Sequence, residues 1–219
     1  MKYNIIVIDF DQTIGYFDQL NTIYQYFELL YMEQKCPKQI IHDMQYIFRP
    51  QILDIIKTIL RCRDENKIQK FYLYTKSKQK HTISRVIKFI KNQLKYKYKI
   101  FDDIIVSKNK QKSFNDIFFD VNNRKDSNIC VIDDKKHEWL LRDNVFYIHC
   151  IPYYYLYDLE SITYMLSRYI TDFDVNQFNT YMHDFMEQRK TVKTLSINTH
   201  NEMSKKLKYF ISIFVSKMC

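Results

Sequence analysis

The stretch Ile5-Ile6-Val7-Ile8-Asp9-Phe10-Asp11-Gln12-Thr13-Ile14-Gly15 holds the only glycine among 219 residues and decides how the chain is read. An apolar run that ends abruptly in two carboxylates spaced i, i+2 marks a buried strand delivering both acids, on one face, to its carboxyl end. Open α/β sheets bind ligands there. Two close carboxylates concentrate negative charge, which a hard cation such as Mg²⁺ relieves through oxygen ligands shared with a substrate phosphate. Asp9 is therefore a candidate metal ligand and a candidate nucleophile.

Further strand-like apolar runs fall at Phe71 to Tyr74, Ile104 to Val106, Ile129 to Ile132 and Val145 to Ile151. Helical spacing recurs between most of them. Residues 20–33 repeat Leu20, Ile23, Tyr24, Phe27 and Leu30, and Pro50 stands where a first helical turn favours it, ahead of Ile52, Leu53, Ile56 and Leu60. Residues 81–94 and 113–119 read likewise. Strands alternating with helices give a parallel sheet built from right-handed crossovers, so the expected fold is α/β and Rossmann-like. After Ile151 only helices are expected, at about 156–170, 174–190 and 199–217. The division is then a domain over residues 1–170 and a packed helical extension over 171–219, with Tyr209 and Ile213 among its core positions.

Composition narrows the function classes. Walker loops and dinucleotide fingerprints need several glycines where backbone approaches phosphate, and one glycine excludes both. Five scattered cysteines, without a Cys-x-x-Cys pair, read as reduced packing residues. No apolar stretch approaches the roughly 20 residues of a membrane span, and Asp9 cuts the N-terminal run short of a signal-peptide core. An intracellular protein, cytoplasmic or nuclear, with no membrane contact is expected. Abundant Ile, Lys, Asn, Tyr and Phe suit A+T-rich codons, as in a large DNA virus acting in a host cell or an A+T-rich parasite. Net charge is +9, and residues 76–112 alone carry twelve Lys or Arg against Asp102 and Asp103. That segment would steer a polyanionic partner such as nucleic acid.

The same strand-end logic finds the rest of a site. Thr75 ends the Phe71 run and offers a hydroxyl to a phosphate oxygen. Asp133-Asp134 ends the Ile129 run and supplies the second pair of carboxylates that a shared cation requires, one as ligand and the other orienting a lysine or a metal-bound water. A lysine must offset the crowded acids and the phosphate as charge moves. Lys108, Lys110 and Lys112 are the candidates, and Lys112 is favoured because Ser113-Phe114-Asn115-Asp116-Ile117 follows it like a helix start.

The unbroken Asp9-x-Asp11-x-Thr13 after a hydrophobic strand resembles the first motif of the haloacid dehalogenase superfamily, whose phosphatases pass through an aspartyl-phosphate. With Thr75, Lys112 and Asp133-Asp134 following in order, the likeness narrows to the phosphatases of the RNA polymerase II carboxy-terminal domain. Arg49-Pro50 ahead of a helix, Trp139 after the second acid pair, and Asn144 leading to Pro152-Tyr153 and Tyr155 add to it. It spans about residues 3 to 170.

The resemblance implies a Mg²⁺-dependent serine/threonine phosphatase acting on a phosphoprotein, with no large cap and an open groove for an extended phosphopeptide. It implies that Asp9 attacks phosphorus and ligates Mg²⁺, and that Asp11 protonates the leaving alkoxide and later deprotonates water. The metal set it implies is Asp9, Asp11, Asp133 and Asp134. Thr75 and Lys112 would hold phosphate oxygens, and Thr13, Arg49 and Lys110 would meet the substrate. The chain departs from the family in offering no arginine from Ser107 to Gln111, and residues from about 171 onward have no counterpart. Two alternatives stand beside it: a phosphatase of the same fold acting on nucleic-acid ends or nucleotides, and a catalytically weak binding module in transcription.

Overall fold

All five expected strands form, and they pair in parallel in the order β3-β2-β1-β4-β5. In the computed structural model they span Tyr3–Asp9 (β1), Lys70–Thr75 (β2), Asp103–Val106 (β3), Ser127–Asp133 (β4) and Val145–His149 (β5). The structure describes residues 3–30, 36–107, 112–117, 127–137, 142–192 and 194–218. From β1 the chain moves outward to β2 and β3, then returns to place β4 on the other side of β1. The switch point of this Rossmann-like sheet thus lies between β1 and β4, where such sheets open a crevice at their carboxyl ends.

The central strands β1, β2 and β4 are buried on both faces, which is why they read as continuous apolar runs rather than alternating ones, while the edge strands β3 and β5 are partly exposed. Ile6, Ile8, Phe71, Leu73, Cys130 and Ile132 face the larger core. Helices α1 (Asp18–Leu30), α2 (Ile40–Asp43), α3 (Ile52–Asp64) and α4 (Lys80–Gln93) pack into it. Ile5, Val7, Tyr72, Tyr74, Ile129 and Val131 face the smaller core, with Ile117 of the short α5 (Phe114–Ile117). Strand parity then sends Asp9 and Asp133 toward the α5 side, since each continues the Ile5-Val7 or Ile129-Val131 series.

Local sequence accounts for the helices. In α3 the buried Ile52, Ile55, Ile56, Ile59 and Leu60 make one apolar stripe. Pro50 sits in the turn before α3 rather than in its first turn, and Gln51 between them is left-handed (φ 59°). The chain must bend there so that Arg49 faces inward. The C-terminal helices are α6 (Leu159–Ser167), α7 (Val175–Arg189) and α8 (Ile197–Met218). Asp158 and Asp174 cap α6 and α7 by accepting from Ser161 N (2.7 Å) and Gln177 N (2.9 Å). Phe178, Met182, Leu207, Ile211 and Phe214 join the same core as Ile6 and Ile8, so the C-terminal helices pack on the sheet domain. Tyr209, expected in that core, is exposed instead, because the buried stripe of α8 runs through His200, Met203, Leu207, Ile211 and Phe214, and two positions past Leu207 is the far side of a helix. No helix among the described residues is long and apolar enough to cross a membrane.

Candidate active site

β1 stops at Asp9 because the chain then coils. Gln12 adopts φ 58°, Ile14 N donates to Phe10 O (3.0 Å), and Gln12 N donates to Gly15 O (2.7 Å). Gly15 is required where it stands: a Cβ there would lie 2.5 Å from the Ile47 carbonyl oxygen and 2.7 Å from the Phe17 ring. The close approach lets Tyr16 N bond Ile47 O (2.8 Å) and Arg49 N bond Ile14 O (2.9 Å), which fixes the loop below the sheet's carboxyl edge.

Across the switch point, ligand atoms of Asp9, Asp133 and Asp134 all lie within 4.8 Å of one another, and all three residues are buried. Lys112, also buried, donates Nζ to Asp9 Oδ1 and to Asp133 Oδ2 (2.7 Å). The lysine stands over the Tyr74 ring, 5.1 Å from its centre. That ring is itself braced: Tyr74 OH donates to Asp116 Oδ2 (2.6 Å), Ser107 Oγ donates to the same oxygen (3.0 Å), and Ser113 N donates to Tyr74 OH (2.6 Å). Thr13 Oγ1 donates to Asp134 Oδ1 at 3.4 Å, and Lys135 N donates to Asp133 Oδ1 at 2.8 Å. His137 Nε2 lies 3.4 Å from Asp133 Oδ2.

The ionisation pattern follows from burial and crowding. Burial, reinforced by Asp133 and Asp134 and opposed by Lys112, pushes the Asp9 carboxyl up to about 8. Burial and then Asp133 raise Asp134 as well. Burial also works on Asp133, but hydrogen bonds from His137 and Lys112 outweigh it and hold that carboxyl below its ordinary range. Lys112 is held above its ordinary value because the two carboxylates overcome the burial that would lower it. Asp11, half-buried, is pushed up to about 6 by burial and by Asp18. A carboxyl at that value can both give and take a proton near neutrality.

The expected site residues divide. Asp9, Lys112, Asp133 and Asp134 come together. Asp11 lies outside the group of three, since the coil after Asp9 carries it off the strand. Thr75 ends β2 one residue past the partner of Asp9, fully buried, and its hydroxyl accepts from Ser77 N (2.9 Å). Thr13 is fully buried and turned to Asp134. Arg49, expected to meet substrate, is instead sunk beneath the loop, where Nε donates to Thr13 O (2.6 Å) and Nη2 to Gln12 O and Ile151 O (2.7 Å each). Three converging carbonyls take Nε and Nη2 and tie the arginine to the loop, while its buried Nη1 has no partner among the described residues. Lys110, Lys108 and Trp139 lie outside the described residues.

Sequence reading missed the supporting shell. Tyr74, Ser107 and Asp116 carry no local signal, since they meet only when β2, β3 and α5 assemble. Tyr153 N donates to Gln12 O (2.8 Å) and Cys150 N to Asp133 O (3.0 Å), so the segment after β5 ties both acid-bearing loops together. The donor set is all oxygen, three carboxylates, which suits a hard divalent cation such as Mg²⁺ and disfavours soft metals.

Comparison with known protein families, with curated proteins and with solved structures finds no match for this chain.

Proposed function

We propose that this chain is a metal-dependent phosphomonoester phosphatase that works through an aspartyl-phosphate on Asp9, acting on phosphoserine or phosphothreonine of a protein. The observation that carries the reading is the convergence of Asp9, Asp133, Asp134 and Lys112 at the sheet's switch point. With all three acids ionised its formal charge would be −2, three carboxylates against one ammonium, and burial already drives Asp9 and Asp134 toward their protonated forms; a divalent cation would relieve the same crowding. Asp9, Asp133 and Asp134 would hold Mg²⁺, which when bound screens the carboxylates from an incoming phosphate.

The residues then divide the work. An Asp9 carboxylate oxygen bonds to phosphorus as the ester P–O bond breaks, and the departing alkoxide takes its proton from Asp11. Asp11, now ionised, removes a proton from water. The resulting hydroxide displaces Asp9 from phosphorus, giving inorganic phosphate and restoring the carboxylate. Lys112 orients Asp9 and offsets charge on the phosphoryl oxygens, and Arg49 and Thr13 keep the loop and Asp134 in place. The serine/threonine assignment rests on the family resemblance of the motifs.

The test is steady-state hydrolysis of p-nitrophenyl phosphate and of a phosphoserine peptide, with Mg²⁺ or with EDTA. Turnover should require Mg²⁺, vanish in Asp9→Asn and fall roughly 10²–10⁴-fold in Asp11→Asn. A folded wild type without turnover, or an Asp9→Asn variant that retains it, removes the phosphatase reading and leaves a binding module.

A further inference from the structure

At the opposite pole from Asp9, the connection from α4 to β3 reads Lys95-Tyr96-Lys97-Tyr98-Lys99. Lys95, Lys97 and Lys99 are exposed, and Tyr98 is 72% exposed. Among the described residues none of these lysines, nor Lys91, has a carboxylate partner. The Tyr98 ring meets the Tyr96 ring edge-on (5.9 Å between centres) and leaves the rest of its surface open among these lysines.

The loop is nevertheless held in shape. Lys95 turns left-handed (φ 50°) and lets Tyr96 N bond back to Lys91 O (3.1 Å). Arg63 of α3 donates to Lys99 O (2.6 Å) and Ile100 O (3.0 Å), and Tyr96 OH donates to Asp64 Oδ1 (2.7 Å). The acids nearby are thereby committed, Asp64 to Tyr96 and Asp102 to Arg63 (3.3 Å) and Phe71 N (2.8 Å). A concavity of about 560 Å³ lies here, lined by Arg63, Lys91, Lys97, Lys99 and the two tyrosines together with the carboxylates of Asp64 and Asp102. From there the exposed Lys88 and Lys80 continue the basic surface along α4, about 21 Å for 14 residues, to Lys76 and Lys78 beside the carboxyl ends of the strands.

We propose that this loop is a docking site for single-stranded nucleic acid, with Tyr98 stacking on a base and Lys91, Lys97 and Lys99 taking backbone phosphates. One exposed ring set between exposed lysines on an ordered, concave surface offers a base a stacking face and the backbone phosphates their cations, whereas an acidic peptide needs only the charge. The inference is independent of the phosphatase chemistry, because it concerns the far pole of the fold.

Fluorescence anisotropy of a labelled oligothymidylate 15-mer tests it on the full chain, at 50 to 200 mM salt. Binding should weaken with salt at a slope of about −2 in log K against log salt, as for three phosphates. Tyr98→Ala should weaken binding at least about fivefold with that slope kept, and Lys97→Glu with Lys99→Glu should weaken it further and flatten the slope. Asp9→Asn should bind like the wild type, which separates this result from any failure of the catalytic reading. The proposal is overturned by absence of saturable binding at 50 mM salt, by a Tyr98→Ala variant that binds unchanged, or by polyglutamate or anionic vesicles competing as well as the oligonucleotide. Thermal melts of the variants check that these exposed substitutions leave the fold intact.

Discussion

Replacing Lys112 with methionine should convert the acid cluster from a braced site into the weakest point of the fold. Methionine retains most of the buried stem and removes only the ammonium, so the loss is electrostatic rather than a cavity. Two charge-assisted hydrogen bonds disappear, to Asp9 and to Asp133, and three carboxylates remain within 4.8 Å of one another. Removing one partner of a buried ion pair costs about 3–5 kcal/mol, since the remaining charge is left unpaired in low dielectric. In urea titrations at pH 7.5 with EDTA, Lys112→Met should therefore lose about that much unfolding free energy.

Two conditions should return part of it, each with a fixed sign. Asp9 titrates at about 8 in the folded chain against an ordinary 3.8, so between those values the native state binds the extra proton. Stability from this group is present at low pH and is lost as pH rises through that window. Without the lysine that opposes the shift, the dependence should steepen, and the gap between variant and wild type should narrow at pH 5. Mg²⁺ at a hundred times its dissociation constant should restore about 2.7 kcal/mol. A variant that loses less than about 1 kcal/mol in EDTA and responds neither to pH nor to Mg²⁺ would refute the argument that Lys112 neutralises this cluster.

Gly15→Ala should lower Tm by about 2–12 °C, from roughly 1–3 kcal/mol of overpacking against the Ile47 carbonyl and the Phe17 ring; an unchanged calorimetric Tm means the loop yields freely. Arg49→Lys should destabilise by roughly 2–5 kcal/mol in urea and do no better than Arg49→Met, because a point charge cannot serve the three carbonyls that the guanidinium fork bonds; recovery to within 1 kcal/mol in the lysine variant contradicts this. His200, buried edge-on against Tyr153, is held below its ordinary pKa by burial and by the Arg49 charge. The unfolded chain therefore takes up that proton first as pH falls below 6.5, and stability should drop by at most about 1.4 kcal/mol per pH unit there. His200→Phe should remove this part of the acid sensitivity, seen as urea midpoints at pH 5 and pH 8 that lie closer together than in the wild type.

The fold was legible because its strands are short apolar runs punctuated by acids and its helices carry clear stripes. Asp9 and Asp133-Asp134 were legible for the same reason, since a charge that ends an apolar run must lie where the strand leaves the core. Lys112 could be preferred from the helix start after it, but its fixation by Tyr74, Ser107 and Asp116 depends on elements far apart in sequence. Arg49 shows the limit from the other side. A motif places the residue, yet only the folded chain brings Gln12, Thr13 and Ile151 carbonyls to one guanidinium. The spacing i, i+2 likewise implied that Asp9 and Asp11 share a face, and it fails because β1 ends at Asp9 and Gln12 turns left-handed.

Charge is arranged here in two opposed layers. The chain as a whole is basic by nine, and exposed Lys76, Lys78 and Lys80 lie next to the strand ends, so an approaching phosphate meets an attractive field. Inside that rim the buried cluster, once its three acids are ionised, carries a formal charge of −2, which alone would repel the same phosphate at contact. Lys112 cannot reverse the sign, since one ammonium faces three carboxylates. On the proposed reading, a divalent cation held by Asp9, Asp133 and Asp134 would bring the ionised cluster to neutrality and supply the positive charge that a phosphate site needs. Burial makes each of these interactions strong, and it is also why removing the Lys112 charge should be felt in stability and, on the proposed reading, in turnover as well.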